Sequence, residues 1–504
     1  MSESDNGRIA KNTLYLYIRM AVMMVVRLYT VRVVLETLGV SDYGIWTAVT
    51  ALVSAFTVVN PTLVSATQRF LTYDMGRGSR RLTEIFSIAF FFFLVMGLVV
   101  TLALESGGLW FLKCRMQVPQ GMEGQAAVVF QFCIATLLVD MVRMPYESAI
   151  VAAEKMRFYA VVCLLEAFVL LGIVFLLPLF GSGRLAAYGA LTFGAQGVIC
   201  LAYVLYSRRK FGFARIRRPH DRQLAREMAS FCGWNVFGSL ASMTAIQGLN
   251  LLMNVYFGVD VNAAYGISLQ AHAALWITVV NLSKAATPRI TKDYASGQLE
   301  EMRALVTGMS KASYFLMLLM AVPMVLNINE LLRLWLGAKL PPLAPLFCVL
   351  TVVQTLIAAL SIIPDSVNMA TGRIRNYQFA VSALVFLTIG VSWVLFACGL
   401  APMWALIVKC GVEILILLAR MWYQQRLAGV RAGMFTMQTL LPSLTVTVIA
   451  VGATSAVTSR LPVEGALARL FATTGIWILF YLPSVWFIGL TAPQRSALLA
   501  KLKH

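Results

Sequence analysis

Charge is what this sequence has least of. Only 12% of its 504 residues are Asp, Glu, Lys or Arg, and 60% are apolar. An ordinary soluble domain carries about 25% charged and about 45–50% apolar residues. That shortage excludes a conventional soluble enzyme and a disordered chain. Acid is scarcer than base, 22 residues against 41, for a formal net charge of +19. A basic excess can mark a nucleic-acid surface, but not on so apolar a chain. Histidine occurs three times, as His220, His272 and His504, too far apart in sequence to read as a catalytic set. There is no Walker A glycine loop, so the chain is not expected to hydrolyse ATP. The eight cysteines contain no C-x-x-C pair, which argues against a metal or redox site. Most lie in apolar stretches and read as small apolar residues. The N-terminus shows no cleavable signal pattern, and its first apolar segment is long enough to remain as a span.

What is present in quantity is long apolar runs. A span needs about 20 mostly apolar residues. Fourteen segments qualify, near 12–35, 44–66, 84–105, 125–150, 158–180, 185–206, 230–257, 262–286, 312–335, 343–371, 377–399, 402–423, 436–458 and 466–490. Pro323 and Pro364 are expected to kink spans 9 and 10. With the N-terminus inside, 28 of the 41 basic residues fall in inside segments, 7 in outside segments and 6 within spans. This bias predicts that both termini are cytoplasmic. The longest basic run, Ser207 to Arg226, joins spans 6 and 7. It reads as a solvated loop over anionic headgroups or as a specific partner site.

The two halves of the chain resemble each other. Leu38-Gly39-Val40 with Tyr43-Gly44-Ile45 recurs as Phe257-Gly258-Val259 with Tyr265-Gly266-Ile267. Val59-Asn60 with Ala66-Thr67-Gln68-Arg69 recurs as Val280-Asn281 with Ala286-Thr287-Pro288-Arg289. Pro145-x-Glu147-Ser148 recurs as Pro364-Asp365-Ser366, and Lys155-x-Arg157-x-Tyr159 as Arg373-x-Arg375-x-Tyr377. The order and near-constant spacing point to duplicated six-span units in the same orientation. Parallel repeats are a transporter architecture, with the central site expected between the halves. The organisation reads as an N-terminal lobe at 1–206, a basic linker at 207–229, a C-terminal lobe at 230–425, and two additional helices with a tail at 426–504.

Several of these segments also resemble a known family. Arg8-Ile-Ala-Lys-Asn-Thr13 opens the chain, Leu38-Gly-Val-Ser-Asp-Tyr-Gly-Ile45 links spans 1 and 2, and Ala66-Thr-Gln-Arg-Phe-Leu71 ends span 2. Trp234-Asn-Val-Phe-Gly-Ser239 opens span 7, and Thr287-Pro-Arg-Ile-Thr-Lys-Asp-Tyr-Ala-Ser-Gly297 follows span 8. Together, over residues 8–425, these resemble the Wzx-type oligosaccharide-lipid flippases of the polysaccharide transporter family. That family shares a superfamily with multidrug/cation antiporters. The resemblance implies an all-α polytopic protein of about 14 transmembrane helices, two parallel six-helix repeats forming a V-shaped two-lobed bundle. It implies the bacterial inner membrane and a cargo of undecaprenyl-pyrophosphate carrying a sugar repeat unit, made for cell-surface polysaccharide such as O-antigen or capsule. It also implies a cationic cavity lined partly from spans 8 and 12, where Lys284 and Lys409 stand. The last two spans are the least family-like part.

The informative charges are those inside the membrane, where one costs roughly 2.5–3.5 kcal/mol on insertion scales. The basic ones are Arg19, Arg27, Arg32, Arg143, Lys284 and Lys409. Arg32 is near the outer end and can snorkel. Arg19 and Arg27 are eight residues apart, about 80° on one broad helix face. Arginine matches diphosphate oxygens bidentately, so these two are candidate headgroup contacts; neutralisation by a structural carboxylate is the alternative. Asp140 with Arg143, and Lys409 with Glu413, can each pair along one helix. Lys284 has no same-helix carboxylate one turn away and could snorkel. His272, near the midplane, reads as a hydrogen-bonded core residue, a proton carrier or a sugar contact. Glu147 and Asp365 are repeat-equivalent, and read as gating or coupling carboxylates or as helix-end packing. Glu166 is a further acidic companion.

The substrate-binding set is therefore Arg19, Arg27, Arg143, Lys284, Lys409 and His272, with Asp140, Glu147, Asp365 and Glu413 as gating or coupling carboxylates. No catalytic residue, metal or cofactor is expected. Coupling to Na⁺, H⁺ or the membrane potential stays open; a headgroup of about −2 leaving an inside-negative cell gains roughly 4–5 kcal/mol per 100 mV. Expected partners are the lipid-linked oligosaccharide, membrane lipids, and a polysaccharide polymerase and glycosyltransferases, with no nucleic acid. The rivals are a cation-coupled multidrug exporter, which wants a mainly acidic cavity, an integral-membrane glycan polymerase or ligase, and a non-transporting scaffold.

Overall fold

A computed structural model describes residues 3–56, 60–78, 81–110, 122–336, 341–460, 465–491 and 494–496. Among them every regular element is a helix. Eleven helices among the described residues are long and apolar enough to cross a membrane. The other predicted spans are also helical where their residues are described. Spans 1 and 2 run along α1 (Glu3–Phe56) and α2 (Asn60–Gly76), and span 12 is α13 (Met403–Ala428). Span 12 is set apart by its charges, Lys409, Glu413, Arg420 and Arg426, and not by its length. The chain is thus a multi-pass membrane protein.

It divides into two compact units, Met1–Val236 and Phe237–His504. In unit 1, α3 (Leu82–Ala103), α4 (Glu123–Ala152), α5 (Met156–Leu176) and α6 (Arg184–Lys210) follow α2. Here α4 is central and packs on α2, α3 and α6. Helix α7 (Arg222–Phe257) leads into unit 2. There follow α8 (Val259–Ala295), α9 (Leu299–Leu326), the short α10 (Ile328–Leu336), α11 (Ala344–Thr371), α12 (Arg375–Ala397) and α13. In unit 2, α11 takes the central place and packs on α8, α9 and α13.

The internal repeat is written in the backbone. Left-handed residues recur in pairs: Gly39 and Gly258 (φ 81° and 82°), Gly78 and Gly297 (65° and 77°), Glu154 and Gly372 (58° and 75°), Gly181 and Gly399 (54° and 79°). The pairs keep the order and near-constant offset of the sequence matches. Gly39 and Gly258 also share an extended ψ, 170° and −172°, a region that essentially only glycine enters. Each breaks the helical course at the same turn of its unit. Glu154 makes the corresponding turn without that freedom.

The linker expected at 207–229 is shorter than predicted. Helix α7 begins at Arg222 because the Asp221 carboxylate accepts from the Leu224 N–H at 2.9 Å, an N-terminal cap.

The last two helices, α14 (Ala432–Thr458) and α15 (Leu467–Gly489), are sewn to α9. Trp477 donates to the Leu319 carbonyl (3.1 Å), Tyr481 to that of Phe315 (2.6 Å), and the buried Lys311 amine to that of Gly489 (2.9 Å). Tyr314 and Thr447 share a bond of 2.7 Å, and Asn327 donates to Thr473 at 2.7 Å. Such bonds between helices hold where lipid offers no hydrophobic drive for association.

Candidate functional site

In unit 1 an intramembrane charge cluster forms on α4 and α5, with polar partners from α6. Arg143 pairs with Asp140 one turn away (3.0 Å) and with Glu166 of α5 (3.4 Å). It also donates to Gln196 of α6 at 3.3 Å, and Gln196 donates back to Glu166 at 2.8 Å. The buried Tyr203 ring lies 5.8 Å from the guanidinium. Glu147 is close enough to interact electrostatically with Arg143. Two carboxylates thus pair with one arginine and a third lies within electrostatic range, an acid-rich cluster where the sequence suggested an isolated i,i+3 pair.

Arg19 on α1 reaches α5 instead. It meets the Tyr159 hydroxyl at 3.4 Å and the Cys163 thiol at 3.7 Å, with its guanidinium 5.0 Å from the tyrosine ring centre. The side chains of Arg27 and Arg32 lie outside the described residues.

Unit 2 builds a related knot with its arginine on a different helix. Tyr377 of α12 donates to the Asp365 carboxylate of α11. Arg420 of α13 pairs with Asp365 (3.4 Å) and donates to the Tyr377 hydroxyl (3.1 Å) and the Ser361 hydroxyl (2.7 Å). Tyr377 and Tyr159 are repeat-equivalent, and both accept from an arginine. Arg420 was missed by sequence reasoning, which assigned it to the inside loop because it falls in the last turns of span 12. The usable signal was its spacing from Glu413: seven residues put both on one face.

A second polar group lies on α8, α11 and α13. His272 Nδ1 is 2.7 Å from Thr355 Oγ1, and that hydroxyl donates to the Thr351 carbonyl at 2.7 Å. When that hydroxyl donates to the Thr351 carbonyl, the neutral ring carries its proton on Nδ1 and leaves Nε2 as an acceptor. The ring stacks on Trp276 at 5.6 Å. The Glu413 carboxylate accepts from Gln354 at 3.0 Å. Lys409, half-buried and close enough to feel both His272 and Glu413, has no hydrogen bond and no ion pair within 4.0 Å among the described residues. The i,i+4 pair expected from the sequence does not close, because Glu413 is held across the helix gap by Gln354. Lys284 is half-buried on α8 beside Ser283, whose hydroxyl meets that of Ser366 on α11 at 3.3 Å. No group of three or more His, Cys, Asp or Glu among the described residues could hold a metal ion.

Several solved structures with this course of helices are membrane transporters. An outward-facing multidrug resistance MATE family transporter of the MOP superfamily aligns with a TM-score of 0.71 at 12% identity, over 84% of this chain and 96% of that one. A MOP superfamily transporter from Pyrococcus furiosus, described as having a binding pocket of reverse polarity that suggests a different function, aligns at 0.68 and 13% identity over the same shares. A MATE in the bent conformation gives 0.67 at 13% identity, over 84% and 97%. The fold is therefore the two-lobed repeat fold of these transporters. No family model matches the chain. A curated relative, the uncharacterized membrane protein EpsK of Bacillus subtilis (strain 168), is 20% identical over 317 residues. That match spans 62% of this chain and 62% of EpsK.

Proposed function

We infer that this protein is a flippase moving polyprenyl-pyrophosphate-linked oligosaccharide repeat units across the bacterial inner membrane by alternating access, with both termini in the cytoplasm. The observation that carries the reading is Lys409. A cation inside a membrane helix is expensive and normally takes a partner. Here the adjacent carboxylate is engaged elsewhere, so the ammonium stands available to an anion. A diphosphate supplies that anion, and the Nε2 acceptor of His272 suits a sugar hydroxyl. The fold is compatible with export. The Pyrococcus transporter's description supports the idea that pocket polarity, and with it function, varies on this fold.

The second reading is a cation-coupled exporter of the same superfamily, favoured by the three carboxylates around Arg143. The two readings differ in cargo sign. Purified protein in proteoliposomes, offered a labelled polyprenyl-pyrophosphate oligosaccharide or a cationic dye, separates them. Movement of the lipid-linked sugar supports the flippase; movement of the dye alone refutes it.

A further inference from the structure

The basic segment between α6 and α7 is built as well as charged. Ser87, in the second turn of α3, accepts from the Arg217 N–H at 3.0 Å. The Glu84 carboxylate accepts from the N–H groups of His220 (2.5 Å) and Asp221 (2.9 Å). Phe211 is buried and stacks on Phe213 at 5.4 Å, and Ala214 is fully buried. The backbone is thus pinned to the start of α3 and the end of α6, the ends of two candidate spans.

The acids of this region are spent on that pinning. Glu84 holds two backbone N–H groups and Asp221 caps α7. Arg209, Lys210, Arg215, Arg217, Arg218 and Arg222 are all exposed, and none has an ion pair among the described residues. Ile216 stands among them, 37% exposed. A loop needing only solubility would not fix its backbone while leaving its cations unneutralised around an apolar tip. Basic side chains flanking an exposed apolar residue at a span end are the chemistry of an anionic lipid surface.

We propose that residues 209–222 form a preorganised shelf that binds the phosphate headgroups of anionic phospholipids at the membrane surface. The arginines take the phosphates while Ile216 enters the headgroup layer. The shelf is independent of the cargo, so it stands or falls apart from the flippase reading.

The test is lipid binding to the purified full-length chain in detergent, followed by native mass spectrometry. The probes are dioctanoyl-phosphatidylglycerol, dioctanoyl-phosphatidylcholine and inorganic pyrophosphate. Wild type should prefer the phosphatidylglycerol by about tenfold or more. The triple variant R215Q/R217Q/R218Q should lose most of that preference. Equal binding of the two lipids by wild type overturns the proposal, as does an unchanged preference in a folded triple variant. Displacement of the lipid by pyrophosphate at comparable concentration also overturns it, because the site is then for free phosphate. Should the triple variant fail to fold, salt titration of wild type gives the same decision. The preference should fall steeply with ionic strength, and a salt-independent preference refutes a charge-based shelf.

Discussion

Replacing Lys409 with Gln separates a substrate cation from a structural one, because the two roles predict opposite signs for stability. Lys409 has no ion pair to lose among the described residues, and Glu413 keeps its bond from Gln354. Removing the charge relieves part of the roughly 2.5–3.5 kcal/mol that a lysine costs at a helix centre; two turns inside α13, about 1 kcal/mol of stabilisation is expected. Function should move the other way. A unit charge about 4 Å from a phosphate is worth about 4 kcal/mol at an effective dielectric of 20. Losing about 2–3 kcal/mol of that lowers kcat/KM for export about 30- to 150-fold. Melting in detergent and flipping in proteoliposomes, measured on one preparation, read both signs. Wild-type export by Lys409→Gln refutes the assigned role. So does a melting temperature lowered by several degrees, the mark of a broken structural pair.

Arg420→Gln should behave in the contrary way. It strands Asp365 beside Tyr377, and because the pair is half-buried the cost should fall below the about 3–5 kcal/mol of a fully buried one, readable as a drop in melting temperature. Gly372→Ala should cost about 1–2 kcal/mol by the same measurement, since φ is +75° there, without affecting flipping by the protein that remains folded. Trp477→Ala removes a fully buried ring and its bond to Leu319, so a loss of about 3–5 kcal/mol should appear as early proteolysis between α14 and α15.

The spans and the repeat were legible because both rest on patterns local in sequence. Apolar length alone locates the helices, and the turn at Gly39 and Gly258 demands glycine wherever it occurs. The partners of the charges were not legible, because they are chosen across helices. Lys409 and Glu413 are correctly spaced to pair, yet Gln354 from α11 takes the carboxylate. Asp140 and Arg143 do pair, but nothing along α4 announces that Glu166 and Gln196 close the network from two other helices. Arg420 was hidden by its position near a span end, where arginine usually means a loop. The roles expected of Arg19, Lys284, Glu147 and Asp365 remain proposals. The geometry gives them neighbours, and transport would give them a function.

The most direct test of the central claim is the direction and identity of cargo in a purified system. Full-length protein in proteoliposomes, given a fluorescent polyprenyl-pyrophosphate oligosaccharide in both leaflets and a membrane-impermeant quencher outside, reports which fraction crosses. Protein-dependent movement of the lipid-linked sugar, lost in Lys409→Gln, is the expected result. Wild-type protein that leaves the sugar lipid in place while moving a cationic dye would contradict it.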